Sequence, residues 1–275
     1  MENHPSENGF SLRHERAIEQ TLADMNSVLL ESDLFMTRLT VQDRRWQKGR
    51  KNGHTLNWRS LFKYHAQMPI SFAFVYRRIT SPLSRAGFCL CRYLQAENVI
   101  ELVALENFSL RETQHPLKGN MLRNCLQALY LYGLNLQEQG LTPASPPDML
   151  ISHAINHRVL ALYTRQAAFE VIPGTMTCKT SFNALKKYIQ SLEKYGAKCD
   201  KVRTNNAQKE AKMKNKDLTD PTLSIQEQKR IAIEILRQYH RWEMANPRPP
   251  EELPEWEAIG PFRKSKRHLI ERTDD

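Results

Sequence analysis

The run VIELVALENF at residues 99–108 is followed by a polar loop ending in LKGNML (117–122). Behind that loop, Met121, Leu122, Cys125, Leu126, Leu129, Leu131, Tyr132 and Leu136 recur near helical spacing, and Gly140 closes the segment. The apolar run reads as a strand and the periodic segment as a long helix. Strand, loop, glycine and helix N-terminus, in that order, present backbone N–H groups to an anionic ligand. Further on, MLISHAINHRVLALYTRQAAFEVI (149–172) reads as a second strand–helix–strand unit, with Asn156 and Tyr163 seven positions apart. A catalytic site in this chain is expected between the two units.

The segments around them fill out an α/β pattern. Ala17, Ile18, Leu22, Met25, Val28 and Leu29 lie at helical spacing and predict an amphipathic helix over 11–31. A short strand is expected at 34–40. SFAFVYRRI (71–79) and RAGFCLCRYLQ (85–95), joined by the turn SPLS (81–84), predict an antiparallel hairpin. Residues 99–108 then supply the third consecutive strand. Side-chain alternation puts Cys89 and Cys91 on one face, where they read as small buried hydrophobes. Strands are expected at 149–154, at 169–174 and in TMTCKTSF, with a short helix over 156–168 and another over 181–195 that ends at Gly196.

Composition narrows the function classes. With 40% hydrophobic and 25% charged residues the chain reads as a soluble globular protein. No apolar run approaches the ~18–20 residues of a membrane span, and the polar N-terminus does not read as a signal peptide. The five cysteines are an odd count without a C-x-x-C pair, which argues against a disulfide framework and a structural zinc site, so no metal is expected. A cytoplasmic location is the natural expectation. The net charge of +10 fits attraction to nucleic acid, to an acidic protein or to a phosphorylated ligand, without choosing among them.

Within 44–63, Arg44, Arg45, Lys48, Arg50, Lys51, Arg59 and Lys63 are basic, and Trp46, Trp58 and Tyr64 lie among them. Such interleaving can grip a single strand of nucleic acid by phosphate contact and base stacking. The other reading is a solvated helix and loop whose tryptophans face the core. After Gly196, residues 197–223 read as a basic linker. Ser224 and Glu227 form an S-x-x-E capping box at the start of a helix whose stripe is Ala232, Ile235, Leu236, Tyr239 and Trp242, with Pro247 as its stop. A lone helix cannot bury its own stripe, so it either docks on the main domain or serves as a partner-binding arm. A Pro-rich tail follows, with a second basic stretch at 263–272.

The order of helix, strands, glycine loop, long helix, strand, short helix and strand resembles the GNAT acetyltransferase superfamily over about residues 34–195. Two stretches carry the resemblance. VIELVALENF…HPLKGNML is similar to the family's fourth strand and acyl-CoA pyrophosphate loop, and ISHAINHRVLALYTRQAAFEVI to its C-terminal half. The implied fold is α/β: a GNAT-like mixed, mostly antiparallel sheet flanked by helices. It is preceded by an N-terminal helix (1–33), occupies 34–196, and carries a helical, Pro-rich C-terminal extension (224–275).

The resemblance implies acetyl-CoA, or another acyl-CoA, as cofactor. Backbone N–H groups around Lys118, Gly119, Asn120, Met121 and Leu122 would face its pyrophosphate, with Lys118 adding charge. Its amide arm would lie along residues 103–106, against Val103 and Leu105, as an added strand. Tyr163 would protonate the leaving thiolate, and Asn156 would cap the short helix near the cofactor. Glu101 and Glu106 are five apart on one strand, and alternation predicts opposite faces, so Glu106, nearer the strand end, is the candidate base. His115, His153 and His157 are further candidates. The implied function is N-acylation of an amine on a macromolecular acceptor, an acidic protein or one associated with nucleic acid. The alternative is a non-catalytic GNAT-like protein that binds nucleic acid or acts as an adaptor.

Overall fold

The computed structural model describes residues 7–49, 56–64, 68, 70–110, 112, 115–152, 169–195, 217–246 and 258–259. Among these, the strands are β1 (Leu34–Arg38), β2 (Ser71–Arg78), β3 (Gly87–Leu94), β4 (Val99–Asn107), β5 (Asp148–Ile151), β6 (Glu170–Val171), β7 (Cys178–Thr180) and β8 (Ala258–Ile259). The helices are α1 (Glu7–Leu29), α2 (Val41–Gly49), α3 (Trp58–Tyr64), α4 (Met121–Glu138), α5 (Phe182–Ser191) and α6 (Ile225–Ala245). The fold is mixed α/β, with a mostly antiparallel sheet flanked by helices.

The sheet runs β1-β2-β3-β4-β5-β7-β6, and β8 pairs separately with β4. Of these pairings only β4–β5 is parallel, with Val99 to Leu102 opposite Asp148 to Ile151. A parallel pair needs a crossover, which α4 supplies. The hairpin read from the sequence is present, with Ser71 opposite Arg92 and Tyr76 opposite Gly87. Cys89 and Cys91 are buried on one face of β3, and the Cys89 thiol lies 3.4 Å from that of Cys125 on α4.

Two apolar layers sandwich the sheet. On one face Phe72, Cys89, Cys91, Ile100, Leu102 and Leu105 pack under α1, α4, α5 and α6. On the other, Val75, Phe88, Leu90, Val103 and Ala104 pack with Trp58 and Phe62 of α3. Helix α4 is buried almost all round, as an apolar helix between a sheet and further helices must be. At Gly133 an added Cβ would come 3.1 Å from the Phe182 ring, and this close approach lets Phe182 of α5 stack on Tyr130 at 4.9 Å.

The stripe of α6 docks on the main core. Ala232, Ile235, Leu236 and Tyr239 join the same apolar cluster as α1 and α4. The capping box forms as the sequence predicts, Ser224 and Glu227 each satisfying the other's backbone. Asn135 of α4 ties three helices together: its amide donates to Thr21 Oγ1 and Asp24 Oδ2 of α1, both at 3.1 Å, and its carbonyl oxygen accepts from Lys229 of α6 at 3.0 Å. Residues 197–216, the greater part of the expected linker, and the basic stretch 263–272 lie outside the described residues.

Candidate functional site at the end of β4

Strand β4 carries a bulge. Leu90 pairs with Ala104 and Cys91 with Leu102, so Val103 is an extra residue between them. One inserted residue shifts the alternation. Ile100 and Leu102 face the α4 layer, and beyond the bulge it is Leu105 that faces it. Glu101 and Glu106 therefore share a face, the α3 side. The simple alternation that predicts opposite faces is corrected here, and the bulge is the reason.

Both carboxylates are held. Glu106 is 2% exposed, and its Oε2 accepts from Trp58 Nε1 at 2.6 Å and from the Leu56 amide at 3.4 Å. Trp58 is wholly buried, edge-on to Phe88, and Trp46 packs against Phe88 and Phe108. The tryptophans of the 44–63 stretch thus face the core, the second of the two readings that the sequence allows. Glu101 pairs with Arg92 and accepts from Ser152 Oγ, just past the end of β5.

The loop after β4 is folded back onto the strand end. Asn107 is the clasp: its Oδ1 accepts from the Ser109 amide at 2.9 Å and the Ser109 hydroxyl at 2.7 Å, while its Nδ2 donates to the Leu117 carbonyl at 3.0 Å. His115 Nδ1 accepts from the Leu117 amide at 3.1 Å, which puts the proton of a neutral ring on Nε2. Burial lowers the His115 pKa; Arg78 acts in the same direction, and Glu112 and Asp33 oppose it. The amides of Lys118 and Asn120 donate within the loop, to His115 and Leu117 carbonyls at 2.9 and 3.1 Å. Gly119 sits at φ +73°, left-handed backbone that favours glycine.

Asn120 is the N-cap of α4, yet its side chain makes no capping bond to the helix; its Nδ2 donates to the Pro116 carbonyl at 3.1 Å. Met121 and Leu122 open the helix as buried residues, backbone included. Met121 points at β3: a Cβ placed on Gly87 would lie 2.8 Å from its Sδ and Cε. Beside this first turn, Arg123 bonds Asn120 Oδ1 at 3.3 Å and is paired to Glu243 and Tyr239 of α6. Burial alone would lower the pKa of Arg123, but Glu243 and Tyr239 outweigh it and raise it.

The structure therefore brings Val103, Leu105 and Glu106 on β4 close in sequence to the clasp at Asn107, and through it to the loop bearing Lys118, Gly119, Asn120, Met121 and Leu122. Tyr163, Asn156, His153 and His157 lie outside the described residues. Past Leu102, β4 leaves its pairing with β5, and there Leu105 and Glu106 pair instead with Ile259 and Ala258 of β8. Sequence reasoning missed Trp58, Leu56 and Asn107. An Asn at the exit of a buried strand is a weak signal, and nothing in the sequence links Trp58 to Glu106. Among the described residues no cluster of His, Cys, Asp or Glu could hold a metal ion. No family model and no curated protein sequence matches the chain.

Proposed function

We propose that the protein is an acyl-CoA-dependent N-acyltransferase of GNAT type that transfers an acyl group, acetyl in the simplest case, to an amine of a macromolecular acceptor. One observation carries this reading. Beyond its bulge β4 parts from its parallel partner β5, and its end is clasped to a glycine loop that opens α4. That combination supports a slot for an amide arm beside an N-terminal anion site.

The donor set fits an acyl-CoA in part. The first turn of α4 has no side-chain cap, but Met121 and Leu122 are buried and their amides would need an opening to meet a phosphate; Lys118, partly exposed, adds a cation. The amides of Lys118 and Asn120 already donate within the loop. Val103 and Leu105 would offer their backbone to the arm, Leu105 only if its pairing with Ile259 of β8 is given up. Acyl-CoA would supply an activated thioester, and the chain's residues would position it and move protons. Glu106 would receive the amine's proton, directly or through water, and Tyr163 would give a proton to the departing sulfur. Proximity of amine and thioester supplies much of the rate.

The competing nucleic-acid reading draws on the +10 charge and on exposed Tyr64, while Trp58 is buried in the core and Trp46 packs partly buried against it. Calorimetric titration with acetyl-CoA and CoA tests the proposal. Micromolar binding is expected, and absence of binding by both overturns it.

A further inference from the structure

We infer that the cavity between α1 and the adjoining ends of β1 and β2 is a binding site for a small monocarboxylate, with Arg44 as its anchor. The cavity measures about 240 Å³, and Ser11, Glu15, Arg38, Arg44, Ser71 and Phe72 are among the residues that line it. Ser11 and Glu15 lie one turn apart on α1, so they share a face. Arg38 ends β1, and the next amide, that of Leu39, donates to the Ala73 carbonyl at 3.0 Å. The chain thus leaves the sheet beside the start of β2, and α2 begins at Val41 with Arg44 in its first turn. Among the described residues, none that lines the cavity belongs to β4 or α4, and β3 lies between β2 and β4. The site is separate from the proposed acyl-CoA slot and does not rest on it.

Its two arginines are placed differently. Arg38 is paired with Glu15 at 2.5 Å. The guanidinium of Arg44 lies over the Phe62 ring, 5.8 Å from its centroid, and its Nε is buried with no hydrogen-bond acceptor among the described residues. The neighbouring carboxylate, Asp43, is committed to Arg77 and Arg85. A guanidinium keeps its charge at any ordinary pH, and a buried N–H without an acceptor is costly. A carboxylate meets both needs, with one negative charge and two oxygens that match the guanidinium fork. Charge sets the valence: two arginines against one glutamate leave a single positive charge, which a monoanion neutralises. A dianion such as phosphate would bring its second charge against Glu15. Volume sets the size. The cavity falls below the roughly 300–1,000 Å³ of sites for drug-sized ligands, so it suits a short-chain acid and not a whole nucleotide cofactor.

The test follows the Arg44 Nε–H resonance and the Ser71 to Ala73 amides of the isotope-labelled full chain during titration with sodium acetate or inorganic phosphate at constant ionic strength. Arg44→Gln removes the anchor. Arg59→Gln, at an exposed arginine of α3, is the control, and amides of α4 and β3 report that each variant is folded. Saturable shifts at millimolar acetate are expected, with affinity about tenfold weaker in Arg44→Gln and unchanged in Arg59→Gln. Arg44→Lys, which keeps the charge and drops the fork, replaces Arg44→Gln should that variant not fold, and weaker binding is expected there too. Absence of a saturable shift in the parent overturns the site. Equal affinity in the folded Arg44 variant overturns Arg44 as its anchor. Phosphate bound more tightly than acetate overturns the monocarboxylate assignment.

Discussion

The indole Nε1 of Trp58 donates to Oε2 of Glu106 at 2.6 Å, inside the core and across 48 positions of sequence. It joins α3 to the far end of β4, and holds in place the carboxylate nearest the proposed slot. Trp58→Phe keeps most of the ring and drops the donor, leaving a buried carboxylate oxygen short of a partner at a cost of about 1–3 kcal/mol. Urea unfolding of Trp58→Phe, Glu106→Gln and the double variant measures their coupling, expected at about 0.5–3 kcal/mol. Additive losses would show that the two side chains do not depend on each other.

The close approach of Met121 to Gly87 makes a second pair. Gly87→Ala would put a methyl 2.8 Å from the Met121 thioether and 3.0 Å from Leu117 Cδ2, and is expected to destabilise by about 1–3 kcal/mol. In a Met121→Ala background the same methyl has room, so its cost should shrink there. An equal cost in both backgrounds would refute the clash.

Asp43 is the most demanding ion pair. Its carboxylate is fully buried and accepts from Arg77 at 2.9 Å, from Arg85 at 2.8 Å, and from the Thr40 amide and hydroxyl. Burial pushes its pKa up, but the bonds from Thr40 and Arg77 outweigh that and hold it below the ordinary carboxylate value. Asp43→Asn leaves two arginines short of their counter-charge and is expected to cost about 3–5 kcal/mol, read from the urea midpoint. A loss under 1 kcal/mol would refute this assignment, given the usual worth of an exposed pair of about 0–1 kcal/mol.

Acid sensitivity should begin with a histidine. Burial, with Arg123 acting in the same direction and Glu243 against it, lowers His240 to about 4 from 6.5. The unfolded chain therefore takes up this proton first as pH falls. Stability is intact above about 6.5 and is lost between 6.5 and 4, by up to about 3 kcal/mol. Asp43 and Asp33, whose pKa values are depressed, act only below that window. Denaturation midpoints at several pH values should fall less steeply in His240→Gln than in the parent.

On the acyltransferase reading, Lys118→Ala should weaken CoA binding about five- to tenfold by removing a cation near the pyrophosphate. Affinity for a pantetheine fragment lacking phosphate should not change. Equal losses for both ligands would place Lys118 away from the phosphates.

Much of the frame was legible because its signals are local. The β2–β3 hairpin follows from alternation around SPLS, α4 from its period and Gly140, and the start of α6 from Ser224 and Glu227. The stripe of α6 was equally clear, but a stripe does not say what it covers. The site was less legible for two reasons. A bulge is one residue with no composition of its own, and at Val103 it put two carboxylates expected on opposite faces onto the same one. The contacts that build the β4 end come from afar: Trp58 and Leu56 from before the hairpin, β8 from near the chain's end. Periodicity carries no information on such meetings.

The docking of α6 against α1 and α4 also orders the protein's synthesis. Helix α1, translated well before α6, waits for it, because the two share a single apolar core. A nascent chain that has completed β1 to β7 still exposes the surface that α6 will cover. Such a chain is prone to aggregation and suited to chaperone binding until residue 245 has emerged.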